Sequence, residues 1–108
     1  MNRLLQKIKG PVEKWSTDSI KGALPRSRGK FRCRLLRELG ERKDRSAEKI
    51  FVAHMSSPEA GIRRAAAHGL GLLGLATTVD KCIQIESCTA VKLEMAKTWI
   101  LGGEDSKT

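Results

Sequence analysis

The sequence predicts an all-α fold built from about three helical hairpins, on three observations. The first is an internal repeat. The segments Phe31 to Gly40, Ile62 to Gly71 and Val91 to Ile100 align without gaps at offsets of 31 and 29 residues. Each places apolar residues at relative positions 0, 4, 5 and 8, which is one face of a helix and not of a strand. The second is a shorter apolar stretch before each segment: Ile20, Ala23 and Leu24, then Ile50, Phe51, Val52, Ala53 and Met55, then Val79, Cys82, Ile83 and Ile85. The third is composition. Aromatic residues are 4% of the chain, Trp15, Phe31, Phe51 and Trp99, with no Tyr. A core of Leu, Ile, Val, Ala and Met suits helices better than sheets.

In chain order, residues 1–15 carry Leu4, Leu5 and Ile8 on one helical face, with Gly10-Pro11 before Val12 and Trp15. They read as an N-terminal capping helix, because an end unit of stacked hairpins needs its apolar face covered. The repeats are expected at 17–42, 44–74 and 77–103. Pro25 blocks continuation of the first short helix. Ser57-Pro58-Glu59 reads as N-cap, N1 and N2 of the second long helix. Ala65, Ala66, Ala67, Gly69 and Gly71 leave that helix almost without side chains, which lets neighbours approach closely. Gly inside a helix costs roughly 1 kcal/mol against Ala, so close packing has to outweigh propensity there. Thr77 or Thr78 is expected to cap the third short helix. Gly74 and Gly102-Gly103 are expected C-terminal stops, followed by a frayed polar tail over 104–108. In the aligned columns Leu39, Leu70 and Trp99 coincide, so Trp99 is expected in the core.

The segment from Ser57 to Gly74 resembles the second helix of a short HEAT-like repeat: Ile62-Arg63, the Ala65-Ala66-Ala67 cluster, then Leu70-Gly71-Leu72-Leu73-Gly74. The variety is that of phycobilin lyase accessory subunits and small bacterial and archaeal scaffold proteins. The likeness extends over about residues 17–103, and its motif is densest at 57–74. It implies a right-handed α-solenoid of about three HEAT-like hairpins with an adaptor or scaffold role. An accessory subunit of a chromophore lyase is a more distant implication. The family's Asp in the turn before the long helix is absent: Ser57 and Glu59 stand in the second turn and Glu86 in the third. A ladder of Asp–Arg pairs is therefore replaced or lost.

Charge is the main functional signal. The net charge of +9 lies entirely in residues 1–50, which hold 15 Lys and Arg against 6 Asp and Glu, while residues 51–108 hold 6 of each. Arg26, Arg28, Lys30, Arg32, Arg34 and Arg37 form a basic run that enters the first long helix. With Arg63 and Arg64 they are the candidate site for an anionic partner, since Arg suits bidentate contacts to carboxylate or phosphate. A positive charge at a helix start opposes its dipole, so Arg63 and Arg64 call for a compensating acid, Glu59 or Glu86, unless they join a shared basic surface. Apart from Phe31, which fits the core column, the run holds no aromatic group to stack on bases. The expected partner is thus an acidic protein surface. Sequence-independent binding to a nucleic-acid backbone is the alternative.

Other classes find little support. Cys33, Cys82 and Cys88 are odd in number and not spaced as metal ligands or a disulfide framework; three free thiols in a cytoplasmic protein are expected. His54 and His68 have no recognised ligand spacing, and His68 reads as a partly exposed packing residue. No phosphate loop, paired carboxylates or nucleophile signature is present, so a non-enzymatic protein without metal or cofactor is expected. No apolar run reaches the ~18 residues of a membrane span, and Met1 to Gly10 lacks the apolar core of a signal peptide. The column assignment predicts that Leu70→Asp unfolds the protein, because a carboxylate cannot be desolvated there without a partner. A Leu70→Asp variant with wild-type circular dichroism and melting would break the assignment.

Overall fold

The computed structural model describes residues 11–107, and no strand occurs among them. Six α-helices follow one another: α1 Thr17–Ala23, α2 Gly29–Glu41, α3 Glu48–His54, α4 Ala60–Leu73, α5 Ala76–Ile85 and α6 Thr89–Lys107. Single 3-10 turns at Val12–Lys14, Leu24–Arg26 and Arg45–Ala47 precede α1, α2 and α3. The long helices α2, α4 and α6 lie side by side with α4 in the middle. Helices α3 and α5 pack against α4 and α6, the long helices that follow them, and α1 lies against α2. Extents of 41 × 34 × 18 Å make a slab about two helices thick.

Local signals place the elements. Ser16 caps α1 by accepting a hydrogen bond from the Ser19 amide at 3.0 Å, and Asp18 stands in the first turn, where its charge suits the dipole. Asp44 caps the 3-10 turn before α3, accepting from the Ser46 amide and hydroxyl at 2.9 and 2.8 Å. Gly74 ends α4 in the left-handed conformation at φ 70°, where a Cβ would clash with the backbone. Lys43 takes the same conformation at φ 52° just past α2. The two positions are 31 residues apart, the offset of the first two repeats.

The core collects the inner faces. Leu35, Leu36 and Leu39 of α2, Phe51 of α3, Ala65, Ala66, Ala67 and Leu70 of α4 and Met95 of α6 are all fully buried. The bare face of α4 sets the spacing. A Cβ on Gly40 would stand 2.7 Å from the Gly69 Cα, so α2 and α4 meet backbone to backbone. The Phe51 ring fills the space where Gly69 lacks a side chain, and the Met95 carbonyl and Thr98 side chain occupy the space beside Gly71.

The structure departs from expectation at four places. Trp99 is 38% exposed, and Thr98, 4% exposed, points inward in its stead. The approach of α6 to Gly71 leaves room for a threonine and none for an indole; the Thr98 hydroxyl is satisfied by the Glu94 carbonyl at 2.9 Å. Leu93, Ile100 and Leu101 are exposed on the same helix. Ser57 serves the turn before α4, accepting from the Glu59 amide at 3.2 Å, and Glu59 takes the N-cap position. Leu75 stands at the N-cap of α5, while Thr78 donates to Glu48 across to α3 at 2.7 Å. Helix α6 continues through Gly102 and Gly103 to Lys107, so the helix does not stop at the glycine pair. The expected capping helix falls largely on residues 1–10, outside the described residues. Its last part is the 3-10 turn, with Val12 buried and Trp15 edge-on to Phe31 at 6.2 Å.

Two glycine substitutions test the packing. Gly71→Ala drives a methyl into Thr98 and the Met95 carbonyl, and should destabilise by about 1–3 kcal/mol. Gly22→Ala meets nothing within 4 Å in α1 and should stabilise by about 0.5–1 kcal/mol. Urea unfolding of both variants checks the opposite signs.

Candidate anion-binding surface

The turn between α1 and α2 carries the exposed bases. Pro25 closes α1 into the 3-10 turn Leu24–Arg26, and Ser27 folds back by donating to the Leu24 carbonyl at 2.7 Å. Arg26, Arg28 and Lys30 project from this turn and the start of α2. All three are exposed and have no side-chain partner among the described residues. Arg34, one turn into α2, meets Glu13 at only 4.0 Å, with both side chains largely exposed. That contact holds little energy in water.

The remaining bases of the expected site are spent inside the molecule. Arg32 donates to the Leu24 carbonyl at 2.9 Å and to Ser27 Oγ at 3.3 Å, bracing the turn that precedes its own helix. Arg63, in the same repeat column, donates from Nη1 to the Ser57 carbonyl at 2.8 Å in the corresponding turn before α4. Its Nε donates to both Glu86 oxygens at 3.1 and 3.2 Å. Glu86 is buried, and also accepts from the Cys88 amide at 2.9 Å just ahead of α6. The acid expected for Arg63 is therefore Glu86. Arg64 departs from expectation, pairing with neither Glu59 nor Glu86 but with Glu94 at 3.3 Å.

Glu94 is the centre of a network that the sequence reading missed. It sits on α6 with its side chain 5% exposed and faces Arg37 of α2 at 3.6 Å, besides Arg64 and His68 of α4. His68 Nδ1 lies 3.0 Å from Glu94 Oε2, and its Nε2 lies 2.8 Å from Glu41 Oε2. A ring that carries both protons donates to both carboxylates. All three long helices are thereby joined through one buried carboxylate. Burial pushes the Glu94 carboxyl up, but hydrogen bonds from His68 and Arg64 and the charges of Arg37 and Lys97 outweigh it and hold it below its ordinary value. A signal was available in the sequence. Arg37, His68 and Lys97 occupy one column, six residues past Phe31, Ile62 and Val91. His68 is accordingly a bridging residue and not a mere packing one.

No other chemistry collects here. Cys33, Cys82 and Cys88 are free thiols. Burial raises the Cys82 thiol, and the Glu48 and Glu86 charges add to it, so it is poorly suited to nucleophilic attack. Burial also raises Cys33, against the lowering effect of Arg37. Among the described residues no group of three or more His, Cys, Asp or Glu is placed to hold a metal ion, and no helix is long and apolar enough to cross a membrane. Comparison with protein-family models, with curated proteins and with solved structures returns no match.

The network sets an acid dependence. Because the folded Glu94 carboxyl lies below its ordinary value of 4.5, the unfolded chain takes up the proton first as pH falls. Its contribution is full above that value and is lost as pH drops through the folded one. Glu94→Gln should cost roughly 2 kcal/mol at neutral pH, less than a fully buried pair because Arg37 and Arg64 are about half exposed. It should also flatten the fall in melting temperature as pH drops below about 4.5. Parallel thermal melts across that range check both; equal acid slopes for variant and wild type would count against the network.

Proposed function

We propose that the chain is a non-enzymatic adaptor whose basic turn, Arg26, Arg28 and Lys30 with Arg34 beside it, docks an acidic surface on a protein partner. The observation that carries this reading is the division of the basic run. Arg32, Arg37, Arg63 and Arg64 meet carbonyls and carboxylates within the molecule, whereas Arg26, Arg28 and Lys30 are exposed with no side-chain partner among the described residues. Exposed guanidinium groups on a turn braced from within are preorganised for carboxylates.

The scaffold for this role is, in the same proposal, a right-handed HEAT-like α-solenoid of the hairpins α1–α2, α3–α4 and α5–α6. The repeat offsets of 31 and 29 residues support it, as do the left-handed residues Lys43 and Gly74 at the first of those offsets. The matching clasp of Arg32 and Arg63 on their own turns is further support, and Glu86 with Arg63 supplies one acid–arginine rung between neighbouring units.

Arg26→Glu, Arg28→Glu and Arg34→Glu combined should abolish capture of the partner from nuclease-treated extract with helicity unchanged, while Lys81→Glu, an exposed base on α5, should leave capture intact. A retained protein that tolerates ~0.15 M salt supports the adaptor. Retention of DNA or RNA regardless of sequence, weakening with log salt at about −0.9 per phosphate contacted, would replace the acidic protein by a nucleic-acid backbone.

A further inference from the structure

We infer that the acidic partner is anchored in a groove between the first two hairpins, which takes an apolar side chain from an acidic amphipathic segment. This rests on the adaptor reading and names the part of the surface that selects the partner. The groove measures about 440 Å³ and runs between the end of α1 and α3. Its apolar lining comes from Leu24, Pro25, Ile50 and Ala53. Every ionisable group that lines it is a base: Lys21, Arg32, Lys49 and His54.

The charges differ in availability. Lys21 is shared with Asp44 at 3.7 Å and donates to Ser46 at 2.7 Å. Arg32 is fixed on backbone carbonyls, and its charge meets no acid among the described residues. Lys49 is exposed with no side-chain partner among the described residues. His54 holds its Nδ1 on the Ile50 carbonyl at 2.8 Å, which fixes the ring at the groove wall. Arg26 follows the lining residue Pro25 directly in the chain, so the groove and the free basic turn form one continuous surface.

That combination selects its occupant. A nucleic-acid backbone gains nothing from an apolar floor, because phosphates contact bases and amides. A plain acidic chain would use the rim and leave the floor wet. A segment with carboxylates on one side and aliphatic residues one helical turn apart on the other uses both, in the manner of a helix laid in a groove. Each leucine buried should be worth about tenfold or more in affinity.

The test uses the full chain, labelled with nitrogen-15, and three synthetic peptides: glutamates with two leucines one helical turn apart, the same peptide with both leucines replaced by serine, and the leucine peptide with lysines in place of glutamates. The first should shift the amides of Lys49, Ile50 and Ala53 and bind at least about tenfold tighter than the second; the lysine peptide should not bind. Ala53 is exposed, so Ala53→Glu should keep the fold while weakening the leucine peptide about tenfold and the serine peptide much less. Arg26→Glu with Arg28→Glu should weaken both acidic peptides. Equal affinity for the leucine and serine peptides, shifts away from α3, or no binding of the leucine peptide would overturn the groove. If the Arg26 and Arg28 variant still weakens the acidic peptides, the basic-turn reading survives that failure; if it changes neither, that reading falls as well. A mixed-sequence DNA duplex that shifts the same amides and binds more tightly than the leucine peptide would also overturn the proposal.

Discussion

The close approach of neighbouring elements to α4 is the constraint on which the rest of the structure depends. Gly40 of α2 admits the Gly69 backbone, Gly69 admits the Phe51 ring of α3, and Gly71 admits the Met95 carbonyl and Thr98 of α6. Helix packing distances are set by the side chains at the contact, and glycine gives the shortest. With three neighbours drawn in, the alanines and Leu70 on the rest of that face are sealed from water. The hydrophobic effect then stabilises a chain of modest size and few aromatics. The helix propensity lost at Gly69 and Gly71 is offset by contact along the helices that meet them.

Electrostatics follow from that packing. Once α2, α4 and α6 lie in register, Arg37, Arg64 and His68 converge on Glu94, whose carboxylate could not stay charged at such burial without them. Arg63 and Glu86 do the same at the starts of α4 and α6, each also holding backbone groups of the turns. Their net gain in stability is small, since burying charge carries a desolvation cost close to its gain, but removing one partner leaves the others unpaired. Of the basic run that enters α2, Arg26, Arg28 and Lys30 remain exposed without a side-chain partner among the described residues, all at the α1–α2 turn and the start of α2.

Surface chemistry is thus a remainder left by the fold. A basic run of the kind from Arg26 to Arg37 reads as one stripe in sequence, but a helix turns its residues through all directions. Arg32 and Arg37 face inward or sideways to partners, and Arg26, Arg28 and Lys30 face water. The groove lined by Leu24, Pro25, Ile50 and Ala53 joins residues of two hairpins, and no local pattern announces it.

The sequence by itself determined the helical class, the repeat offsets, the three long helices, the end of α4 at Gly74, most of the core columns and the need for an acid opposite Arg63. All of these rest on periodicity and local stereochemistry, which act over a few residues. Only the tertiary structure decided that Thr98 and not Trp99 turns inward, because the space beside Gly71 is set by the approach of two helices. Only it brought Glu94 to His68, 26 residues away, and closed the second side of His68 on Glu41. The C-terminal end of α6 and the cap of α5 differ from expectation because glycine permits a helix end without enforcing one, and Thr78 donates to Glu48 instead. Which arginines stay free was settled the same way: a charge is available to a partner only after the fold has taken its own, and that allotment depends on contacts distant in the chain.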